Sequence, residues 1–203
     1  RTQSVRPYLH SLSLTLMDAL NFFTTLRLGL FNAWIPAWGM VLIQFVFMAL
    51  HKEGGRRAVD TSWYTPTDRR NATISGYLQI ALLILSIFVP LKSGAWFAVG
   101  AVVFGLSFVV FIAAFLAYGL TPQGKTVTSG VYRLSRNPMY FAFFIGMIGT
   151  CIASASLWLL LVNILFMVYT HLIVLGEERY CEATYGDEYR TYKARTPRYF
   201  LVV

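Results

Sequence analysis

Hydrophobic residues along this chain fall into long runs that are separated by polar segments. The runs cover residues 28–50, 74–91, 95–120 and 139–175. Each of the first three approaches or exceeds the length that a helix needs to cross the ~30 Å hydrocarbon core of a bilayer. The last run contains no Asp, Glu, Lys or Arg. Counted from Pro138, it would extend about 57 Å as a single helix, so we expect it to fold back on itself.

The expected turn of this hairpin is Ser154-Ala155-Ser156, which brings the number of predicted membrane spans to five. The predicted fold class is therefore an all-α, polytopic membrane protein. Residues 1–27 are predicted to form an amphipathic helix that lies in the plane of the membrane interface, because Asp18 and Arg27 interrupt any sixth span. The apolar face of this helix comprises Leu9, Leu12, Leu16, Leu20 and Phe23.

The amino-acid composition also indicates a membrane protein. Hydrophobic residues make up 57% and charged residues 13% of the 203 residues, with a mean hydropathy of +0.58. A soluble domain carries roughly 25% charged residues, so the composition argues against a soluble enzyme and against a disordered chain.

The net charge of +8 predicts orientation rather than a nucleic-acid partner. Thirteen of the 17 Lys and Arg residues fall in segments 51–73, 121–137 and 176–203, which five spans would place on the same side. Positive charge accumulates on the cytosolic side of membrane proteins. We therefore expect the N-terminus outside and the C-terminus inside, with membrane lipids as the surroundings and no nucleic-acid or protein partner.

These features suggest three regions: the interfacial helix at 1–27, three spans at 28–120 with a basic loop at 51–73, and a region at 121–203 that contains a cytosolic loop, the helical hairpin, a cytosolic tail and the candidate site. The last region contains two polar segments, one on each side of the predicted hairpin. Their sequences are TVTSGVYRLSRNPMY, from Thr126, and EERYCEATYGDEYRTY, from Glu177, the latter followed by RTPRYF. Because a hairpin returns to the side from which it started, both segments should meet at one membrane surface.

Single features in these segments have ordinary explanations. Asn137-Pro138 is a typical helix start, with Asn as the N-cap and Pro in the first turn. His171 lies in an apolar run, where an ionisable group is a functional candidate, although a neutral histidine that bonds across helices explains it as well.

The combination of motifs is more specific, and it resembles the isoprenylcysteine carboxyl methyltransferase family and its prokaryotic relatives over residues 95–203. That resemblance implies a helical membrane enzyme that binds S-adenosylmethionine in a cytosolic pocket built by the C-terminal half. Together with the chemistry of these segments it makes Arg136 and Glu178 candidate catalytic residues, and His171 is added as an ionisable group within an apolar run. Methyl transfer from an activated carbon needs no metal. The candidate cofactor-binding residues are Gly124, Lys125, Thr126, Val127, Tyr132, Arg136, Asn137, Pro138, Met139, Tyr140 and Glu177. In this interpretation a glutamate accepts hydrogen bonds from the ribose or the ammonium group, and Arg136 pairs with the carboxylate.

Two positions depart from the family pattern. Asn137 stands where histidine is frequent, and Ile173 stands where the eukaryotic carboxyl methyltransferases carry an arginine. The acceptor therefore stays open between an isoprenoid, a prenylcysteine-like carboxylate, a phospholipid amine and a hydrophobic thiol. The alternative functions are an NADPH-dependent reductase of the sterol-reductase type, whose pattern is echoed by Glu178-Arg179-Tyr180-Cys181, and a non-catalytic protein of the same fold.

Overall fold

The computed structural model describes residues 6–200, with side chains from residue 14 onward. In this part of the chain the regular structure is helical, without strands, which confirms the predicted all-α class. A 3₁₀ turn at Gly130–Arg133 lies between α5 and α6. The eight α-helices of the described part are α1 (Arg6–Thr24), α2 (Trp34–Leu50), α3 (Lys52–Ala58), α4 (Pro66–Phe88), α5 (Ala95–Leu120), α6 (Pro138–Ser154), α7 (Leu157–Tyr185) and α8 (Asp187–Arg195).

Three of these helices, α4, α5 and α7, are long and apolar enough to span a membrane. Helices α2 and α6 are also apolar but have 17 residues each, which corresponds to about 25 Å. These helices support an integral membrane protein. The count of five spans and the orientation stay predictions.

The predicted hairpin is present at the expected place. Helix α6 ends at Ser154 and α7 begins at Leu157. Between them Ala155 adopts a left-handed conformation with φ of 46°, which ends α6. The hydroxyl of Ser156 then accepts a hydrogen bond from the backbone N–H of Leu159 at 3.3 Å and caps α7. Ala155 therefore ends α6, and Ser156 begins α7.

Helix α2 begins at Trp34, six residues later than the apolar run at 28–50 suggested. The backbone before it pairs with the end of α4 and with the residue that follows α4: Arg27 N–H donates to Phe88 O at 2.6 Å, and Ala33 N–H donates to Val89 O at 2.8 Å. The buried amide of Asn32 donates to Ile87 O at 2.6 Å. These bonds hold the segment in a non-helical form, so the apolar pattern alone overestimated the helix.

Helix α4 begins at Pro66, earlier than the run at 74–91 suggested. A capping box explains the difference: the Thr65 hydroxyl accepts a bond from Asp68 N–H, and the Asp68 carboxylate accepts one from Thr65 N–H. Arg179 of α7 donates to the Asp68 carboxylate at 3.0 Å, so the polar first turns of α4 are anchored on α7. In the sequence these turns belong to the predicted basic loop at 51–73.

Helices α5 and α6 pack closely because glycines face each other. A Cβ atom on Gly100 would lie 2.2 Å from the backbone nitrogen of Ala153, and one on Gly149 would lie 2.6 Å from that of Phe104. Helices α4 and α7 form a second pair, joined by a buried hydrogen bond of 2.7 Å between the hydroxyls of Ser75 and Thr170. The core between the helix pairs contains Met40, Leu82, Phe111, Phe143, Met147 and Phe166.

Helix α1 lies within the segment predicted to be interfacial. Leu16 and Leu20 are 64% and 59% exposed, as expected for side chains that would face lipid. Leu9 and Leu12 lie outside the residues whose side chains are described. The interfacial position of this helix stays a prediction.

Candidate active site

A cavity of about 760 Å³ lies among α3, α5, α6, α7 and the segment between α5 and α6. Small-molecule sites typically have volumes of roughly 300–1,000 Å³. One part of its wall is aromatic and lies among the apolar helices: Phe111, Phe115, Phe143, Phe144 and Phe166. The other part is polar and includes Arg56, Arg57, Tyr64, Tyr118, Lys125, Thr126, Tyr132, Tyr140, Glu177 and Tyr185. The cavity thus joins a polar compartment to an apolar one.

Almost all of the predicted cofactor-binding residues line this cavity. They are Gly124, Lys125, Thr126, Val127, Tyr132, Arg136, Asn137, Met139, Tyr140 and Glu177. Pro138 is buried at the first turn of α6 but is not part of the wall. The hairpin therefore brings the two polar segments together, although their roles toward a ligand stay predictions.

The loop at 124–127 is held by the short helix α8. Gly124 has a φ of 75°, a conformation that glycine adopts without strain. The Thr126 N–H donates to Glu188 Oε1 at 3.2 Å. The Thr126 hydroxyl, in contrast, is buried and has no hydrogen-bond partner among the described residues. Buried polar atoms in folded proteins are nearly always paired, so this hydroxyl is available to a ligand.

Glu177 directs its carboxylate toward the cavity. Its Oε2 accepts a hydrogen bond of 2.9 Å from the Tyr140 hydroxyl, which fixes the side chain. Its Oε1 has no hydrogen-bond partner in residues 6–200. A carboxylate oxygen of this kind is a suitable acceptor for a hydroxyl or an ammonium group.

The adjacent Glu178 also lines the cavity, but its carboxylate has different partners, because consecutive residues on an α-helix point about 100° apart. Its Oε1 accepts from Arg136 Nε at 3.1 Å and from Asn137 Nδ2 at 2.9 Å. Its Oε2 accepts from Arg136 Nη2 at 3.3 Å and from Arg198 Nη2 at 3.0 Å. Both oxygens of this buried carboxylate are therefore occupied by protein donors.

Arg136 is equally engaged. Besides Glu178, its Nη1 donates to the carbonyl oxygens of Lys193 and Thr196. The hydrogen bond to Glu178 raises the pKa of Arg198, the second guanidinium of this ion cluster. Arg136, Asn137, Glu178 and Arg198 thus fasten the start of α6 and the tail after α8 to α7. Asn137 occupies the N-cap position of α6 as predicted, but its side chain binds Glu178 instead of capping the helix.

His171, the third candidate catalytic residue, does not line the cavity. Its Nδ1 lies 2.9 Å from the Tyr199 hydroxyl. Burial raises the pKa of Tyr199 to about 12, so the phenol stays protonated at neutral pH, and the tautomer of His171 decides which of the two groups donates. The contact matches the structural explanation of His171, a histidine that bonds across the fold.

Buried tyrosines surround the polar compartment. The Tyr192 hydroxyl donates to Tyr132 O at 2.6 Å and holds the 3₁₀ turn in place. Desolvation by burial raises the pKa of both phenols, and for Tyr132 the nearby Glu177 charge adds to the effect. Desolvation and the charges of Glu177 and Asp68 also raise the pKa of Tyr64. These phenols are therefore neutral hydrogen-bond donors and aromatic faces, not bases.

Sequence reasoning missed the contribution of the N-terminal half. Arg57 on α3 reaches the cavity, where its Nη2 donates to Tyr118 O at 2.7 Å and its guanidinium carbon lies 4.0 Å from the centre of the Tyr118 ring. Trp63 also lines the cavity and stacks on Tyr180 with ring centres 5.6 Å apart. The sequence feature that could have indicated Arg57 was the basic pair Arg56-Arg57, but the orientation of the chain in the membrane explains such a pair without a binding role.

Comparison with known proteins adds a decisive observation. Residues 92–188 match the model of the phospholipid methyltransferase family. The matched residues make up slightly less than half of the chain, which is therefore similar to this family over its C-terminal part. The match confirms the resemblance to the membrane methyltransferases related to isoprenylcysteine carboxyl methyltransferase. No curated protein and no solved structure matches the chain.

The phospholipid methyltransferase region spans α5, α6, α7 and the loop at 124–127. Its family consists of membrane methyltransferases that generally use S-adenosylmethionine and act on lipids. The polar groups of the cavity fit such a cofactor, because Glu177 Oε1 and the Thr126 hydroxyl have no hydrogen-bond partner among the described residues. Arg57 and Trp63 lie outside the matched region.

Proposed function

We propose that this protein is an integral membrane methyltransferase that transfers a methyl group from S-adenosylmethionine to a lipophilic acceptor. The observation that carries the proposal is the two-part cavity within a phospholipid methyltransferase region. Its polar compartment suits a charged, water-soluble cofactor. Its aromatic compartment suits an apolar acceptor that arrives laterally between the helices.

In the polar compartment we assign cofactor binding to the loop at 124–127, Tyr132, Met139, Tyr140 and Glu177. Glu177 accepts from the ammonium or ribose hydroxyl groups, and the Thr126 hydroxyl fills its own missing bond with the ligand. Neutral tyrosines offer electron-rich ring faces, which attract a cationic sulfonium group. The cofactor supplies an activated methyl carbon, so the protein has to orient the reactants and exclude water.

We assign a positioning role to Arg136 and Glu178 instead of direct contact with the reacting atoms. Their hydrogen bonds go to each other, to Asn137, to Arg198 and to backbone carbonyls. Such a buried cluster holds the entry of α6 beside Glu177. His171 takes no part in the proposed reaction.

Among the acceptors, we favour a phospholipid amine. The family description names phospholipids. The position at which the carboxyl methyltransferases carry an arginine is the buried Ile173, which lines the cavity and provides no charge for a prenylcysteine carboxylate. We further propose five spans with the C-terminal polar segments in the cytosol, from which the soluble cofactor enters the cavity.

The test is transfer of a labelled methyl group by the purified full-length chain in mixed micelles. Phosphatidylethanolamine, a prenylcysteine and a long-chain thiol are offered separately, with NADPH oxidation measured in parallel. Label in the extracted phosphatidylethanolamine supports the proposal. NADPH oxidation without any methyl transfer would replace it with the reductase function.

A further inference from the structure

Arg57 carries buried donors that the rest of the described protein leaves unpaired. Its Nε and Nη1 atoms are buried and have no hydrogen-bond partner in residues 6–200. None of the ion pairs found in the same part of the chain includes Arg57. An unpaired buried donor costs free energy, and more so when the group is charged. A ligand with a negative charge would remove this cost.

The Arg57 guanidinium is also held in a fixed position. The Tyr118 carbonyl accepts from its Nη2 at 2.7 Å, and the Tyr118 ring lies against it. Helix α3, which carries Arg57, sits close to α2 because Gly55 lies against Met48, whose Cα would be 3.0 Å from an added Cβ atom. A guanidinium that is already oriented loses little entropy when it binds an oxyanion.

The polar compartment contains charges of both signs. The pKa of Tyr132 is raised mainly by burial, and in addition by the negative charge of Glu177, while the positive charge of Arg57 acts in the opposite direction. Tyr132 is thus within electrostatic reach of both side chains. Arg56 and Lys125 line the same cavity, so the cavity offers positive groups for an anion and the Glu177 carboxylate for a cation. A zwitterionic ligand matches this combination.

We propose that Arg57 is the oxyanion receptor of the cavity and binds a carboxylate or phosphate group of a bound ligand. The inference rests on the proposed function. Two ligands of that reaction carry the required chemistry next to an ammonium group: the amino-acid end of the cofactor and the phosphoethanolamine headgroup of an acceptor. Arginine suits both, because its N–H groups match the oxygens of carboxylates and phosphates.

The experiment measures binding, so that it does not depend on turnover. The full-length protein in detergent is titrated calorimetrically with S-adenosylhomocysteine, with lysophosphatidylethanolamine and with a monoacylglycerol of the same chain length, which lacks the phosphate. Arg57→Gln is compared with wild type and with Arg69→Gln. Arg69 is exposed and does not line the cavity, so its replacement controls for the loss of one positive charge.

We expect Arg57→Gln to weaken one ligand by about tenfold or more, as is typical when a charged hydrogen bond is lost. Loss of S-adenosylhomocysteine affinity supports the proposal with the cofactor carboxylate as the oxyanion. Loss of lysophosphatidylethanolamine affinity, with monoacylglycerol binding unchanged, supports the proposal with the lipid phosphate as the oxyanion that Arg57 binds. Arg69→Gln should bind all three ligands as wild type does.

Wild-type affinity of Arg57→Gln for both S-adenosylhomocysteine and lysophosphatidylethanolamine would overturn the inference while leaving the methyltransferase function intact. Failure of the wild-type protein to bind S-adenosylhomocysteine would instead contradict the proposed function itself. If Arg57→Gln does not fold, Arg57→Lys takes its place, because lysine keeps the charge and can still donate to Tyr118 O. The lysine lacks the planar fork and should show a smaller loss for the same ligand; no loss would again overturn the inference.

Discussion

The ion cluster around Glu178 allows a sharp test of how the site is held together. Glu178 and Arg136 have side chains that are 5% and 4% exposed, whereas Arg198 is 26% exposed. Removing one partner of a buried ion pair typically costs about 3–5 kcal/mol, because the other charge stays buried without compensation. In Glu178→Gln the amide oxygen can still accept one hydrogen bond, and Arg198 can reach water. We therefore expect a loss near the lower limit, about 3 kcal/mol in the free energy of unfolding.

The assay is reversible unfolding of the purified protein in mixed micelles, followed by circular dichroism. Glu182→Gln is the matched control, because Glu182 pairs with Lys193 at 2.8 Å while their side chains are 36% and 40% exposed. An exposed pair contributes little to stability, so this variant should unfold almost as wild type does. A double variant with Arg136→Gln should lose less than the sum of the two single losses.

Unfolding of Glu178→Gln with the same free energy as Glu182→Gln would contradict the positioning role of Glu178. Full stability of Glu178→Gln together with a complete loss of catalysis would also contradict it, since that result is expected of a residue that acts on the substrate. The two outcomes separate the positioning role from the catalytic role that the sequence suggested.

Three further predictions concern packing and ligand contacts. Gly100→Ala places a methyl group against the backbone of α6 and should lower the free energy of unfolding by about 1–3 kcal/mol. A Cβ atom at Gly105 would have no atom within 4 Å, so Gly105→Ala should not lower it. Equal free energies of unfolding for the two variants would contradict the close packing of α5 and α6. His171→Phe removes the bond to Tyr199 and should cost about 1 kcal/mol of stability without changing turnover; a large drop in turnover would return His171 to the reaction. Thr126→Val removes a buried unpaired hydroxyl and should leave thermal stability unchanged while weakening S-adenosylhomocysteine binding by several-fold; unchanged affinity would remove Thr126 from the site.

Much of the helical framework follows from the hydrophobic pattern. Helix α5 coincides with the predicted run at 95–120, since nothing but lipid-compatible residues lies between its ends. The turn at Ser154–Ser156 was predictable because a charge-free run of such length must reverse. The starts of α2 and α4 were not, since they depend on long-range backbone pairing at Asn32 and on a capping box within a polar segment.

The candidate site was predictable only in part. The family motifs indicated which segments meet, and they line one cavity. They assigned Glu177 to the cofactor and Glu178 to catalysis, but they did not reveal the partners that hold the Glu178 carboxylate, Arg136, Asn137 and Arg198. Arg57 escaped prediction, because a basic pair in a loop is also what membrane orientation requires. Its contact with Tyr118 joins residues 61 positions apart in the chain.

In the proposed function Glu177 binds the methyl donor in the cavity. Calorimetric titration of the full-length protein in detergent with S-adenosylmethionine and S-adenosylhomocysteine tests this assignment. NADPH is titrated alongside, and Glu177→Gln and Glu182→Gln serve as the variant and its control. We predict saturable binding of both adenosyl ligands by wild type and by Glu182→Gln, a loss of about tenfold or more for Glu177→Gln, and no binding of NADPH. Wild-type affinity in Glu177→Gln would contradict the site, and binding of NADPH alone would contradict the function.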